Sequence, residues 1–211
     1  MPIDIVFPNQ NEKEFIEMAQ KLEYSALCLV YDSREKFPKA HELEQLRKDS
    51  GIEIYTGFLA TYKNLNRHQA GLVIVKSSLK DRTILENKID DMIFNMEHGS
   101  GRDFIYSRNS GLTHVLSRLA SKNNVMAGFS FSLLLNSENR PLIMGRIMQN
   151  IRFCRKYKVK TVIASFAGNP YEMRSWHDLI SLFVSLGMHQ KEAKDSFQNA
   201  LLRIKERIFS S

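Results

Sequence analysis

The sequence predicts an α/β fold, a small TIM-barrel-like (β/α) barrel of about seven strands. Three observations predict it. Short β-rich runs recur along the chain, helical apolar spacing separates most of them, and no glycine-rich turn follows the first run, where Phe7-Pro8-Asn9-Gln10 stands. Strands that alternate with helices imply a mainly parallel sheet, because parallel neighbours need a crossover connection. The missing glycine turn removes the main support for an open dinucleotide-binding sheet and favours the barrel.

In chain order, residues 3–7 open as a strand and 12–22 follow with apolar residues three and four apart, as a helix requires. Residues 26–31 are a continuous apolar run, the pattern of a strand buried on both faces. A helix over 38–48 leads to a strand at 52–59, and a strand at 72–75 to a helix at 79–87. The short run 92–94 is the fifth strand. Ser110 caps a helix to 122 whose core stripe is Leu112, Val115, Leu116, Leu119 and Ala120. A strand at 125–129, a long helix over 142–158, a strand at 161–164 and helices over 176–186 and 190–208 complete the series. With no linker or repeat between them, residues 1–211 read as a single α/β barrel domain, small beside the ~250 residues typical of the type.

Cys28 and Cys154 each sit inside an apolar run, which fits two buried thiols in a reducing compartment and not a disulfide framework. No apolar run approaches the roughly 18 residues that span a bilayer, and residues 1–7 are too short and too acidic for a signal peptide. A cytoplasmic protein without membrane contact is expected.

Charge is the most informative property. The chain carries a formal +7, yet residues 102–160 hold 11 Lys and Arg against only Asp103 and Glu138, a local +9. Self-repulsion on that scale points to a polyanion that offsets it, nucleic acid first. On a helical wheel, Ile143, Met144, Ile147, Met148, Ile151 and Cys154 face the core. Arg146, Gln149, Asn150, Arg152 and Lys156 fall opposite, with Phe153 exposed among them as a stacking surface. Arg155 lies within the apolar arc, where it needs an acceptor, and reads as structural. Arg108 beside the helix start at Ser110 makes an anion site, and His114 is a packed surface histidine.

The catalytic inventory is bare. Histidines at 41, 68, 98, 114, 177 and 189 form no His-x-His or His-Glu-x-x-His motif. Glu97-His98, with Asp90 and Asp91 upstream, is the best cluster and a weak one. The two aspartates read as solvent-exposed. Neither a phosphate-cradling Walker loop nor a Gly-x-Ser-x-Gly elbow occurs. The chain reads as a binder.

The blocks Arg108-Asn-Ser-Gly-Leu-Thr-His-Val-Leu, Gly128-Phe-Ser, Asn150-Ile-Arg-Phe-Cys-Arg-Lys-Tyr-Lys-Val, Ser165-Phe-Ala, Arg174, Asp178-Leu-Ile-Ser and Leu186-Gly-Met come in this order. Together they resemble archaeal ribonuclease P protein component 3, the p30 subunit family, most closely over residues 102–193. The resemblance implies a barrel related to polymerase-and-histidinol-phosphatase (PHP) domains without their metal ligands. It implies a subunit of the ribonucleoprotein that removes the 5′ leader from precursor tRNA, in which the RNA carries the Mg2+-dependent hydrolysis, no cofactor is bound by this chain, and protein component 2 is the protein partner. Carried over by position, Arg108, His114, Arg140, Arg146, Asn150, Arg155, Lys156, Lys158 and Arg174 are candidates for RNA or partner contact, and the wheel adds Arg152. Two departures stand out: Thr113-His114 replaces the family's Asn-His, and Phe131-Ser132 replaces a frequent Arg-Pro. The rival readings are a metal-dependent PHP-like phosphoesterase acting without RNA through Glu97, His98 and His114, and a scaffold whose basic face meets an acidic subunit.

Overall fold

The computed structural model describes residues 1–61, 70–87, 91–99 and 101–209. Among the described residues seven strands form one sheet in sequence order: β1 (Ile3–Val6), β2 (Ala26–Tyr31), β3 (Glu53–Ala60), β4 (Leu72–Lys76), β5 (Met92–Phe94), β6 (Met126–Ser130) and β7 (Thr161–Ala164). Every neighbouring pair is parallel. Around them lie α1 (Glu12–Lys21), α2 (Ala40–Ser50), α3 (Asp81–Asn87), α4 (His114–Asn123), α5 (Phe131–Asn136), α6 (Arg140–Tyr157), α7 (Trp176–Ser185) and α8 (Gln190–Phe209).

The sheet curls until β7 meets β1, and the seam is closed by a side chain. Beyond one parallel bridge, Val6 to Ala167, Asp4 accepts hydrogen bonds from the Ser165 backbone N–H at 2.7 Å and its hydroxyl at 2.6 Å. Asp4 is fully buried, and burial pushes its carboxyl up to about 6 against those bonds. A buried carboxyl stays in place only while its hydrogen bonds answer its polarity, so Asp4 supplies part of what an eighth strand supplies elsewhere.

Alternation along the strands divides the core in two. Ile3, Ile5, Cys28, Val30, Leu72, Ile74, Met126 and Val162 fill the barrel, while Leu27, Leu29, Ile93, Phe129 and Ile163 pack against the outer helices. The amino-terminal opening is plugged by α8 through Ala200, Leu201 and Ile204. At the carboxyl ends of the strands, Phe7, Phe94 and Phe166 stack together, the last two at 4.7 Å between centroids.

All seven strands and the long helices lie where the sequence puts them; four local expectations change, the first being Val115, placed in the core stripe of α4 but exposed. Helix α5 was missed because six residues carry less than two turns of periodicity, although Ser130 caps it by accepting the Leu133 N–H at 3.1 Å. Helix α4 starts at His114 with Thr113 as its cap, not Ser110. Asp91 is buried instead of solvent-exposed, because Arg203 and Arg207 of α8 pair with it at 3.4 and 2.9 Å and the Val73 N–H donates to it. Asp90 and His68 lie outside the described residues.

Candidate nucleic-acid interface

Helix α6 supplies most of the candidate residues. It begins at a capped end, with Asn139 accepting the Leu142 N–H and Pro141 in the first turn, and stops at Lys158 in the left-handed conformation. On its inner side Ile143, Ile147, Ile151 and Cys154 join the core as the spacing requires and Met144 packs against it, but Met148, placed on the same arc, is exposed.

The opposite side corrects the wheel. Arg146 is 1% exposed and Asn150 fully buried, because the segment linking β5 to α4 folds back over the middle of α6. The Arg146 guanidinium donates to Asp103 at 3.0 Å, to the carbonyl oxygens of Glu97 at 3.0 Å and Gly99 at 2.8 Å, and to that of Gly101. Asn150 donates to the Glu97 carboxyl at 2.7 Å and the Ser110 carbonyl at 2.8 Å. Gln149 bonds both backbone groups of Arg108 and the Ser110 hydroxyl. Arg146 and Asn150 therefore present no surface to RNA. They clamp residues 97–99 and 101–110 to the helix, since a buried charge needs this many acceptors to be held.

The same clamp accounts for the block 108–113. Gly111 turns at φ +80, and a β-carbon there would collide with the Met96 carbonyl. Gly145 leaves room on α6 for the Arg108 guanidinium, which lies across it and pairs with Asp103 at 3.0 Å. Burial opposes it, but hydrogen bonds from Arg146, the Asn109 N–H and Arg108 hold Asp103 below its ordinary range. Glu97 moves the other way, pushed up by burial to about 7 despite the Asn150 bond.

Farther along, α6 emerges beside α4, with which it packs. Phe153 and Tyr157 stack at 6.3 Å, and the cations of Arg118 and Lys156 lie 5.7 and 5.5 Å from the Tyr157 ring. Both rings are half-buried, so Phe153 is less exposed than its wheel position implies. Arg152 and Lys156 are exposed as expected, and so are Arg140, Lys158 and His114. Neither α4 nor α6 contains a carboxylate. Arg118, Lys122, Arg140, Arg152, Lys156 and Lys158 make no ion pair with a described carboxylate. Arg155 behaves as its place in the apolar arc requires, held by two bonds of 2.7 Å to Glu192 and one to the Gly187 carbonyl.

Sequence reasoning passed over Arg118 and Tyr157. The available signal was Arg118 on the polar arc of one helix and Tyr157 one turn after Phe153 on the next, but their meeting is a helix-packing result. Arg174 sits apart, at the loop after β7, where it donates to the Tyr171 and Met173 carbonyls and lies 5.6 Å from the Phe131 ring. Phe131 thus packs beneath an arginine where the family often has Arg-Pro.

The metal-site rival finds no geometry. Among the described residues no three His, Cys, Asp or Glu side chains converge, Glu97 is sealed inside against Asn150, and His98 and His114 are exposed. Where barrel enzymes carry their catalytic groups, at the carboxyl ends of the strands, this barrel has the three stacked phenylalanines. No helix among the described residues is long and apolar enough to cross a membrane.

Known proteins resemble this chain in sequence or in fold. Ribonuclease P protein component 3 of Thermococcus kodakarensis is 34% identical over 114 residues, 51% of this chain and 52% of that protein. The Methanosarcina mazei protein of the same name is 25% identical over 205 residues, 91% of this chain and 81% of the relative. A chain from the cryo-EM structure of archaeal ribonuclease P with mature tRNA has the same fold, with a TM-score of 0.82 at 22% identity over 98% of this chain and 91% of that one. An amidohydrolase crystal structure shares the barrel more loosely, at a TM-score of 0.57 and 7% identity over 98% of this chain and 74% of the other. A family model described as RNase P subunit p30 matches residues 3–208, well beyond the 102–193 over which the motifs are plainest, so the chain belongs to the ribonuclease P subunit p30 family.

Proposed function

We propose that this chain is a protein subunit of ribonuclease P that supports the catalytic RNA in endonucleolytic removal of the 5′ leader from precursor tRNA. The observation that carries the reading is the α4–α6 face, where cations without a partner among the described carboxylates surround a stacked pair of aromatic rings. Phosphates take the cations, since neutralising them releases condensed counterions, and an unpaired base takes the ring edge. Arg118, Arg152 and Lys156 form the centre of the contact, with Arg140 and Lys158 at its ends. Arg146, Asn150 and Arg155 serve it by holding the scaffold. The chain itself performs no bond cleavage. Mg2+ belongs to the RNA, and protein component 2 is the protein partner in the assembly.

Replacing Arg118, Arg152 and Lys156 together by Glu tests this. Each lost phosphate contact lowers the slope of log affinity against log salt by about 0.9, so the triple variant should lose on the order of 100-fold in affinity for the ribonuclease P RNA near 0.1 M salt, with a slope shallower by two to three. Unchanged binding and slope in a variant that keeps its circular dichroism spectrum would reject this face.

A further inference from the structure

The clamp built by Arg146, Gln149 and Asn150 holds a segment whose tip covers nothing. Phe104, Ile105 and Tyr106 are 67%, 92% and 98% exposed, three consecutive large apolar side chains in water. Together they show on the order of 500 Å² of mostly apolar surface, as large as the biggest patch on a typical monomer. Their backbone is fixed on both flanks. The Phe104 N–H donates to the Ser107 carbonyl at 2.8 Å, Asp103 before the tip receives the Arg146 guanidinium and the Asn109 N–H, and Gln149 grips Arg108 behind it. Ordering a loop around a buried guanidinium costs stability, and here it covers no core with the tip residues. A tip ordered in advance loses little entropy on docking.

We infer that Phe104, Ile105 and Tyr106 form a preorganised knob that inserts into an apolar pocket on a protein subunit. Two features select a protein over RNA. The apex residue, Ile105, is aliphatic and offers no planar face for a base. Charge at the tip is largely answered from within: Asp103 pairs with both Arg108 and Arg146, which leaves Arg102 as the flanking cation without a described carboxylate partner. The α4–α6 face, by contrast, keeps several such cations. A second copy of this chain fits poorly, because a symmetric contact would bring Arg102 and Arg108 of both copies together. The complementary pocket is therefore apolar with an acidic residue at its rim, facing Arg102. Since the knob's area is below the ~800 Å² per partner of a standard interface, it acts as an anchor within a larger contact.

The inference rests on the ribonuclease P reading, so the probe is the cognate ribonuclease P protein component 2, with the ribonuclease P RNA measured in parallel. Calorimetric titration of component 2 into the wild-type chain should give a complex, which F104S/I105S/Y106S weakens by 100-fold or more and I105D by about tenfold. RNA affinity should stay within about twofold for both variants. Component 2 binding that is unchanged in the triple variant would overturn the knob alone, and so would intact component 2 binding with lost RNA affinity, which would make the tip an RNA contact. A wild-type chain that bound neither component 2 nor RNA would instead reject the functional reading. Because the three side chains touch no core, both variants should melt at the wild-type temperature.

Discussion

Two parts of this barrel have the same architecture and opposite charge. Residues 1–61 carry 11 acidic and 7 basic groups around β1 to β3 with α1 and α2, whereas residues 102–160 carry 2 acidic and 11 basic groups around β6 with α4 to α6. Both parts place helices against the same parallel sheet, so the fold does not require either sign. The difference lies in what answers the charge. On the first side some of the charges meet a local partner, as in Lys36 with Asp32 and the Tyr31 hydroxyl with Glu12. On the second, Arg146 and Arg155 are answered from within and the outward cations have no partner among the described carboxylates. Charge that the fold neither needs nor neutralises is charge available to a partner.

The comparison breaks first at Arg146. Removing it leaves the carbonyls of Glu97, Gly99 and Gly101 without their guanidinium donor and takes from Asp103 one of its three donors, so Arg146→Ala should cost about 3–5 kcal/mol in urea unfolding, against less than about 1 kcal/mol for Arg152→Ala. Equal losses would mean that the inner and outer arginines are not distinct classes.

A smaller effect comes from pH. Glu97, with a folded value near 7, and Asp4, near 6, both lie above their ordinary range, so between about pH 4 and 7 the folded state binds more protons than the unfolded chain. Stability should therefore fall as pH rises through that window and level off above it, by about 3 kcal/mol at most for each group. Carboxylates held low, such as Asp103 and Glu192, act in the opposite direction and at lower pH. Glu97→Gln imitates the protonated acid and offers an N–H to the Asn150 side-chain oxygen, which has no partner among the described residues. It should raise stability at pH 8 and flatten the slope, as read from denaturation midpoints at pH 5.5 and 8.

The smallest expected effect is the control on the acidic side. Glu14, Glu17 and Glu44 replaced by Gln change net charge by as many units as neutralising Arg118, Arg152 and Lys156 would. RNA affinity should nevertheless stay within about threefold at 0.15 M salt, where the screening length is ~8 Å. A response comparable to that of the basic face would mean that net charge, not placement, governs binding.

Much of the barrel could be read directly from residue order, because strand and helix periods are local properties that survive without neighbours. The continuous apolar run at β2 announced a strand buried on both faces, and the position of Arg155 within the apolar arc announced that it would need an acceptor. The candidate site was legible only in outline. A wheel assumes one packed side and one wet side, and α6 has two packed sides, since the barrel lies under one and residues 97–99 and 101–110 cover part of the other.

By itself the amino-acid sequence determined the alternation of elements, the location of excess positive charge and the lack of a local metal motif, all of which depend on neighbours within a few turns. Tertiary structure alone decided which cations face water, that Asp91 is buried beneath α8, and that Arg118 meets Tyr157. Those outcomes depend on contacts between residues far apart in the chain, and burial of a charge is set by whichever distant segment supplies its acceptors.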